Sequence, residues 1–183
     1  MASTVCLAIY LEEGWKMRKF YIMRQILRFL CCFILLVAGS GIAQADSLLP
    51  STRDGYMHYT NTRFDYSIEI PSSFVLIFKP DNADGAIFKD NTFNRKIRLY
   101  ATYFNTAYEE QLKNLQGKVT YSDLQDDFYV ISWIDQGTIY YKKVYFTKEE
   151  SAGFILEYPV GQKEMMDEVV SHIAETLTPR WKK

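Results

Sequence analysis

No cysteine lies beyond Cys32. Cys6, Cys31 and Cys32 all fall in the first quarter of the 183-residue chain, so everything after them must hold itself together without disulfides. Histidine is nearly absent too, with only His58 and His172, and neither has a second ligand at a spacing such as H-x-x-x-H. No G-x-S-x-G elbow and no phosphate-cradling glycine loop occurs; Gly39-Ser40-Gly41 belongs to an apolar N-terminal segment. No unit of 20 to 50 residues repeats, which excludes solenoids and propellers. The longest apolar run, Phe29–Ala38, is half of what a bilayer-crossing helix needs, about 20 residues.

That short run is nevertheless informative. Arg18, Lys19, Arg24 and Arg28 precede it, and small residues follow it to Ala43-Gln44-Ala45. A basic stretch, an apolar stretch and an A-x-A site together read as a Sec-type signal peptide cut between Ala45 and Asp46. Glu12 and Glu13 put acid where such a segment wants only positive charge, so the expected start is Met17 or Met23. Cys31 and Cys32 lie inside the apolar run, which excludes a lipoprotein cut. Residues 1–45 are thus an expected signal peptide, and the exported part is expected to be periplasmic or secreted.

The exported part carries 16 Lys and Arg against 20 Asp and Glu. A net charge of this sign offers no long-range attraction to nucleic acid or to anionic lipid. Membrane contact is expected only through an uncleaved signal. The cluster Arg95-Lys96-Ile97-Arg98 is the local exception. It reads as a charged strand edge or face, with an anionic ligand as the minor alternative.

Residues 46–62 are polar and aperiodic and predict a flexible leader. From Phe64 the chain alternates: Phe64, Tyr66, Ile68 and Ile70 share one face of a strand that Pro71 ends. Phe74–Phe78, Ala86–Lys89 and Lys96–Phe104 predict further strands. Thr106 and Glu109 fit a capping box for a helix whose stripe is Tyr108, Leu112 and Leu115, closed by Gly117. Short connections then force antiparallel hairpins through Lys118–Leu124, Phe128–Ile134, Thr138–Phe146 and Phe154–Tyr158. Phe128–Ile134 is apolar on both faces and is expected to be central. A last helix carries Met165, Met166, Val169, Val170, Ile173 and Leu177. The class is α+β: a mostly antiparallel sheet of about six to seven strands flanked by helices, forming one domain over 63–179 with a tail at 180–183.

Tyr59…Arg63-Phe64-Asp65-Tyr66-Ser67-Ile68-Glu69-Ile70-Pro71, the loop Asp81-Asn82-Ala83-Asp84-Gly85, Gly117–Tyr121 and Leu156-Glu157-Tyr158-Pro159 together resemble the PsbP-like (Mog-like) α/β/α sandwich families, in a bacterial periplasmic branch. The likeness runs from Tyr59 to Pro179. It implies a twisted antiparallel sheet with helices on both faces, and no single activity, since relatives include photosystem extrinsic subunits, a Ran-binding regulator and envelope proteins of unknown role. Ala83 replaces the second residue of that branch's Asn-Gly-Asp-Gly loop, which speaks against a ligand role there.

Reactive sets are hard to assemble from these residues. A calcium loop with Gly85 at its sixth position would start on Pro80 and end on Asn91, neither of which suits the role. Asp126-Asp127 and Glu149-Glu150 sit in hairpin turns, where solvent keeps them ionised. His172 lies beside the apolar stripe of the last helix and reads as partly exposed. No catalytic, cofactor or metal residue is therefore expected. The aromatic-rich strand offers a candidate partner face in Tyr140, Tyr141, Lys142, Lys143 and Tyr145, although cross-strand packing that stiffens the sheet is the favoured explanation of the aromatics. Arg180-Trp181-Lys182-Lys183 is a frayed end or a membrane-surface contact. The leading expectation is a non-catalytic binding or accessory module for an envelope protein, without cofactor. A small hydrolase or ligand-binding enzyme whose site forms only in three dimensions is the alternative, and a structural protein tethered by its uncleaved signal a third.

Overall fold

Among the described residues, alternating apolar residues drive ten strands into two antiparallel sheets. The computed structural model describes residues 46–104 and 107–182. The signal-peptide reading, Thr106 of the expected capping box and Lys183 lie outside these residues. Strands β1 (Ser47–Pro50), β2 (Tyr56–Asn61) and β3 (Tyr66–Pro71) form a three-stranded sheet in that order. The larger sheet contains β4 (Val75–Phe78), β5 (Gly85–Asp90), β6 (Arg95–Thr102), β7 (Lys118–Leu124), β8 (Phe128–Asp135), β9 (Thr138–Phe146) and β10 (Ser151–Pro159). Its spatial order is β4-β5-β6-β10-β9-β8-β7. Helix α1 (Tyr108–Asn114) joins β6 to β7, and α2 (Lys163–Thr176) follows β10.

The period-two pattern of each strand gives the large sheet two distinct faces. On the inner face Phe88, Ile97, Phe154 and Leu156 are wholly buried beneath Tyr66, Ile68 and Ile70 of β3 and Met166 and Ile173 of α2. Each such side chain contributes about 1.5–3 kcal/mol by leaving water. On the outer face α1 lays Tyr108, Leu112 and Leu115 over Tyr129, Ile131, Trp133 and Val144. The cluster beneath the helix extends from β8 and β9 to Ile155 of β10 and Tyr100 of β6.

Residues 46–62 are not a leader. They hold β1 and β2, and β2 pairs along its whole length with β3, from Tyr56↔Pro71 to Asn61↔Tyr66. Tyr59 is buried at 3% exposure and Asn61 at 0%. The polar composition hid a sheet whose one apolar face covers the core while the other meets solvent.

Four smaller expectations are corrected. Strand β8 lies next to the edge strand β7, and α1 supplies the cover its outer apolar face requires. Met165, assigned to the buried stripe of α2, is 61% exposed. Gly117 does not close α1, whose C-cap is Leu115. It has φ +97°, and a Cβ there would stand 2.3 Å from the Ile134 carbonyl oxygen, so the glycine serves a close approach to β8. The tail folds back in a 3₁₀ turn at Arg180–Lys182, where Arg180 donates to both carboxylate oxygens of Glu150 at 2.9 and 2.7 Å and Lys182 pairs with Asp127. Trp181 packs on the core.

Candidate binding face

Strand register maps the outer face row by row. One row runs Val75–Lys89–Lys96–Glu157–Tyr140–Trp133, and the next Phe78–Ile87–Arg98–Ile155–Lys142–Ile131. The β8–β9 end of both rows sits near α1. Among the described residues no helix lies over the β4–β5 end. Two hollows open there, of about 300 Å³ beside Phe78, Ile87, Arg98 and Tyr100, and of about 290 Å³ beside Ile77, Lys89, Lys96 and Glu157. Glu157 is ion-paired with Lys96 at 2.8 Å and with Arg98 at 2.6 Å.

The strand bounding this open half is unusual. All four residues of β4 are apolar, and they are 63%, 42%, 52% and 55% exposed from Val75 to Phe78. An apolar edge strand is normally blunted by charge or cover. Here a register shift between Leu76 and Phe78 is the irregularity present.

A larger groove of about 420 Å³ lies on the inner face, between the β7–β9 surface and α2, lined by Tyr121, Ile134, Ile139, Tyr141, Lys163 and Asp167. Several of its polar groups are engaged locally. Thr120 Oγ1 donates to the Ser132 carbonyl, Ser171 Oγ to the Asp167 carbonyl, and Lys163 pairs with Asp167 at 2.8 Å.

The aromatic–basic residues of β9 do not form one face. Tyr140 and Lys142 point outward with α1; Tyr141, Lys143 and Tyr145 point inward. Tyr140 stacks on Trp133 at 4.9 Å and Tyr141 on Phe154 at 5.9 Å. Lys142 is 8% exposed, donates to Gln111 Oε1 of α1 at 2.5 Å, and stands 5.7 Å from the rings of Tyr100 and Tyr129. Burial, helped by Arg98, brings its ammonium down to about 8. Lys143 donates to the Ala174 carbonyl near the end of α2 at 2.8 Å and lies over Tyr145 and Phe128. The cluster ties both helices to the sheet.

Two polar clusters escaped sequence reasoning because their members are far apart along the chain. His172 Nε2 lies 2.7 Å from Glu69 Oε2, and Ser51 Oγ donates to Glu69 Oε1 at 2.5 Å. His58 is paired with Glu69 across β2–β3. Burial pushes the Glu69 carboxyl up, but the Ser51 and His172 bonds and the nearby histidines outweigh it and hold it below its ordinary value. The order is hydroxyl, carboxylate, imidazole. A nucleophile needs the imidazole between the other two, so this arrangement orients side chains without activating Ser51.

The second cluster surrounds Asp46, the residue expected to follow the signal cut. Its carboxylate is 4% exposed and accepts from Tyr59 Oη at 2.8 Å, the Thr62 amide at 2.9 Å and Lys79 Nζ at 2.9 Å. Burial raises its pKa, and these donors lower it by more, leaving it below the ordinary carboxylate value. Burial pushes the Tyr59 hydroxyl up, with Asp46 adding to the rise. The loop that invited a calcium reading is stitched into this corner: Asn61 Nδ2 donates to the Ala83 carbonyl and Asn82 Nδ2 to Asp84 Oδ2. Among the described residues no group of three or more His, Cys, Asp or Glu is placed to hold a metal ion, and no helix is long and apolar enough to cross a membrane.

The sequence matches no protein-family model and no curated protein. Among solved structures the chain is similar to the solution structure of cyanobacterial PsbP (CyanoP) from Synechocystis sp. PCC 6803. The TM-score is 0.55 at 10% identity, over 76% of this chain and 96% of that one. The fold is PsbP-like. At this identity the likeness carries the arrangement of sheet and helices and no side-chain chemistry. Helix α1, seven residues long, is too short to cover the whole outer face of a seven-stranded sheet.

Proposed function

We propose that this PsbP-like domain is an exported, non-catalytic binding or accessory module whose partner is a protein of the cell envelope. The observation that carries this reading is the open half of the outer face: two adjoining hollows bounded by an uncharged, exposed edge strand. Surfaces of that composition mark protein interaction sites, because water is excluded from them only by a partner. The internal use of Asp46, Glu69, His172, Lys142 and Lys143 supports it, since each carries a structural bond. Export rests on the segment ahead of Asp46, and the absence of cysteine beyond it suits a domain stabilised by packing in an oxidising compartment.

Expression of the full chain in a Gram-negative host, with crosslinking of the intact envelope and mass spectrometry, tests the reading. The expected result is a product beginning at Asp46 and a reproducible crosslinked protein partner. A full-length cytosolic product, or substrate turnover by the purified protein that Glu69→Gln abolishes, overturns it.

A further inference from the structure

The open half-face has a charge pattern that selects its occupant. Lys89 of β5 and Lys96 of β6 are direct cross-strand partners. Like charges in that position repel, and sheets normally avoid them. Glu157, on the other side of Lys96, is shared with Arg98. Lys89, Lys96 and Arg98 therefore meet two carboxylates on this patch, Glu157 and the Asp84 that lines the first hollow, so it stays net positive while residues 46–183 as a whole carry four more acidic than basic groups. The patch is a cationic island on an acidic domain.

Its geometry is equally specific. The hollow beside Phe78, Ile87 and Tyr100 is largely apolar; the adjoining one holds Lys89, Lys96 and Glu157. Arg98 lies two residues from Lys96 along β6, a separation of about 7 Å in a strand. We propose that this half-face docks an acidic segment of another protein, with an apolar anchor residue in the first hollow and carboxylates against Lys89, Lys96 and Arg98. The proposal rests on the binding-module reading and gives its partner a chemistry. A partner carboxylate would relieve the Lys89–Lys96 repulsion that Glu157 alone does not offset, which is charge complementarity acting as a selector.

The test uses protein purified after expression of the full chain, labelled with ¹⁵N, and two synthetic peptides, Ac-TFTETET-NH2 and its lysine counterpart Ac-TFTKTKT-NH2. The acidic peptide is expected to shift the amides of β4, Ile87, Lys89, Lys96 and Arg98, to bind about tenfold more tightly than the basic one, and to weaken with salt. Lys89→Glu separates binding from folding. It turns a repulsive cross-strand pair into an attractive one, so thermal stability is kept or raised while affinity for the acidic peptide falls about tenfold. Equal binding of the two peptides, shifts centred on the groove beside α2, or an unchanged affinity in Lys89→Glu overturns the proposal. So does preferential binding of phosphatidylglycerol vesicles at these residues, which assigns the patch to a membrane, or a concentration-dependent dimer that protects β4, which assigns it to a second copy. An envelope partner crosslinked through the α2 groove leaves the binding-module reading standing and removes only this surface.

Discussion

At the residue scale, Asp46 and Lys142 are two ionisable groups with opposite effects. The Asp46 carboxylate collects a hydroxyl, an amide and an ammonium, so its folded pKa lies below its unfolded one. Its stabilisation is complete above the ordinary carboxylate range and is lost as pH falls through the lowered folded value. Asp46→Ala, which leaves Tyr59 and Lys79 without their acceptor, is expected to cost about 2 kcal/mol at neutral pH in urea unfolding. The gap to the unsubstituted protein should close in acid. Lys142 runs the other way. Its folded value near 8 lies below the unfolded value, so the buried charge is a cost below that point, and stability from this group rises with pH between about 8 and 10. Lys142→Met should remove that rise, about 2 kcal/mol at most, when unfolding is compared at pH 7.5 and 9.5.

At the scale of single elements, turn chemistry and close approaches decide which strands meet. The β8–β9 hairpin turns on Gln136 and Gly137, with φ 45° and 76°, the two left-handed positions of a type I′ turn. Gly117 sets the entry to β7 against Ile134. Gly117→Ala must either move the β7 start away from that carbonyl or strain the backbone, and is expected to destabilise by about 1–3 kcal/mol by thermal melting. Amide exchange should then quicken across β7 more than across β10, because the change acts at the sheet edge.

At the scale of the whole molecule, the small sheet is a lid for the core and not an ornament. Tyr66, Ile68 and Ile70 on β3 are buried, and β2 is bonded to them along its full length. A protein lacking residues 46–62 between the signal and the domain would lose both β1 and β2 and expose the edge of β3. It is expected to be exported but to aggregate or be degraded, as read by its abundance in the soluble envelope fraction. Recovery of a stable, cooperatively melting product would restore the flexible-leader picture. The same scale explains His172. A helix residue reaches Glu69 only because α2 lies across β3, and Thr176 Oγ1 accepts the Glu69 amide at 3.1 Å beside it.

Local periodicity made most of the strands and α2 legible, because alternation and the 3.6-residue stripe are consequences of burying one face and appear in any window of the chain. Tyr66, Ile68 and Ile70 announced β3 in this way, and Met166, Val170 and Ile173 announced α2. The short strands β1 and β2 were invisible, since neither shows a clear period and their pairing partner alone makes them strands. The pairing of His172 with Glu69, the burial of Asp46 and the split of β9 into an inward and an outward set required the third dimension. So did the open half-face. Sequence supplied its cations one by one, but their juxtaposition on one side of the sheet depends on which strands are neighbours, and strand order is set by packing over long loops of chain.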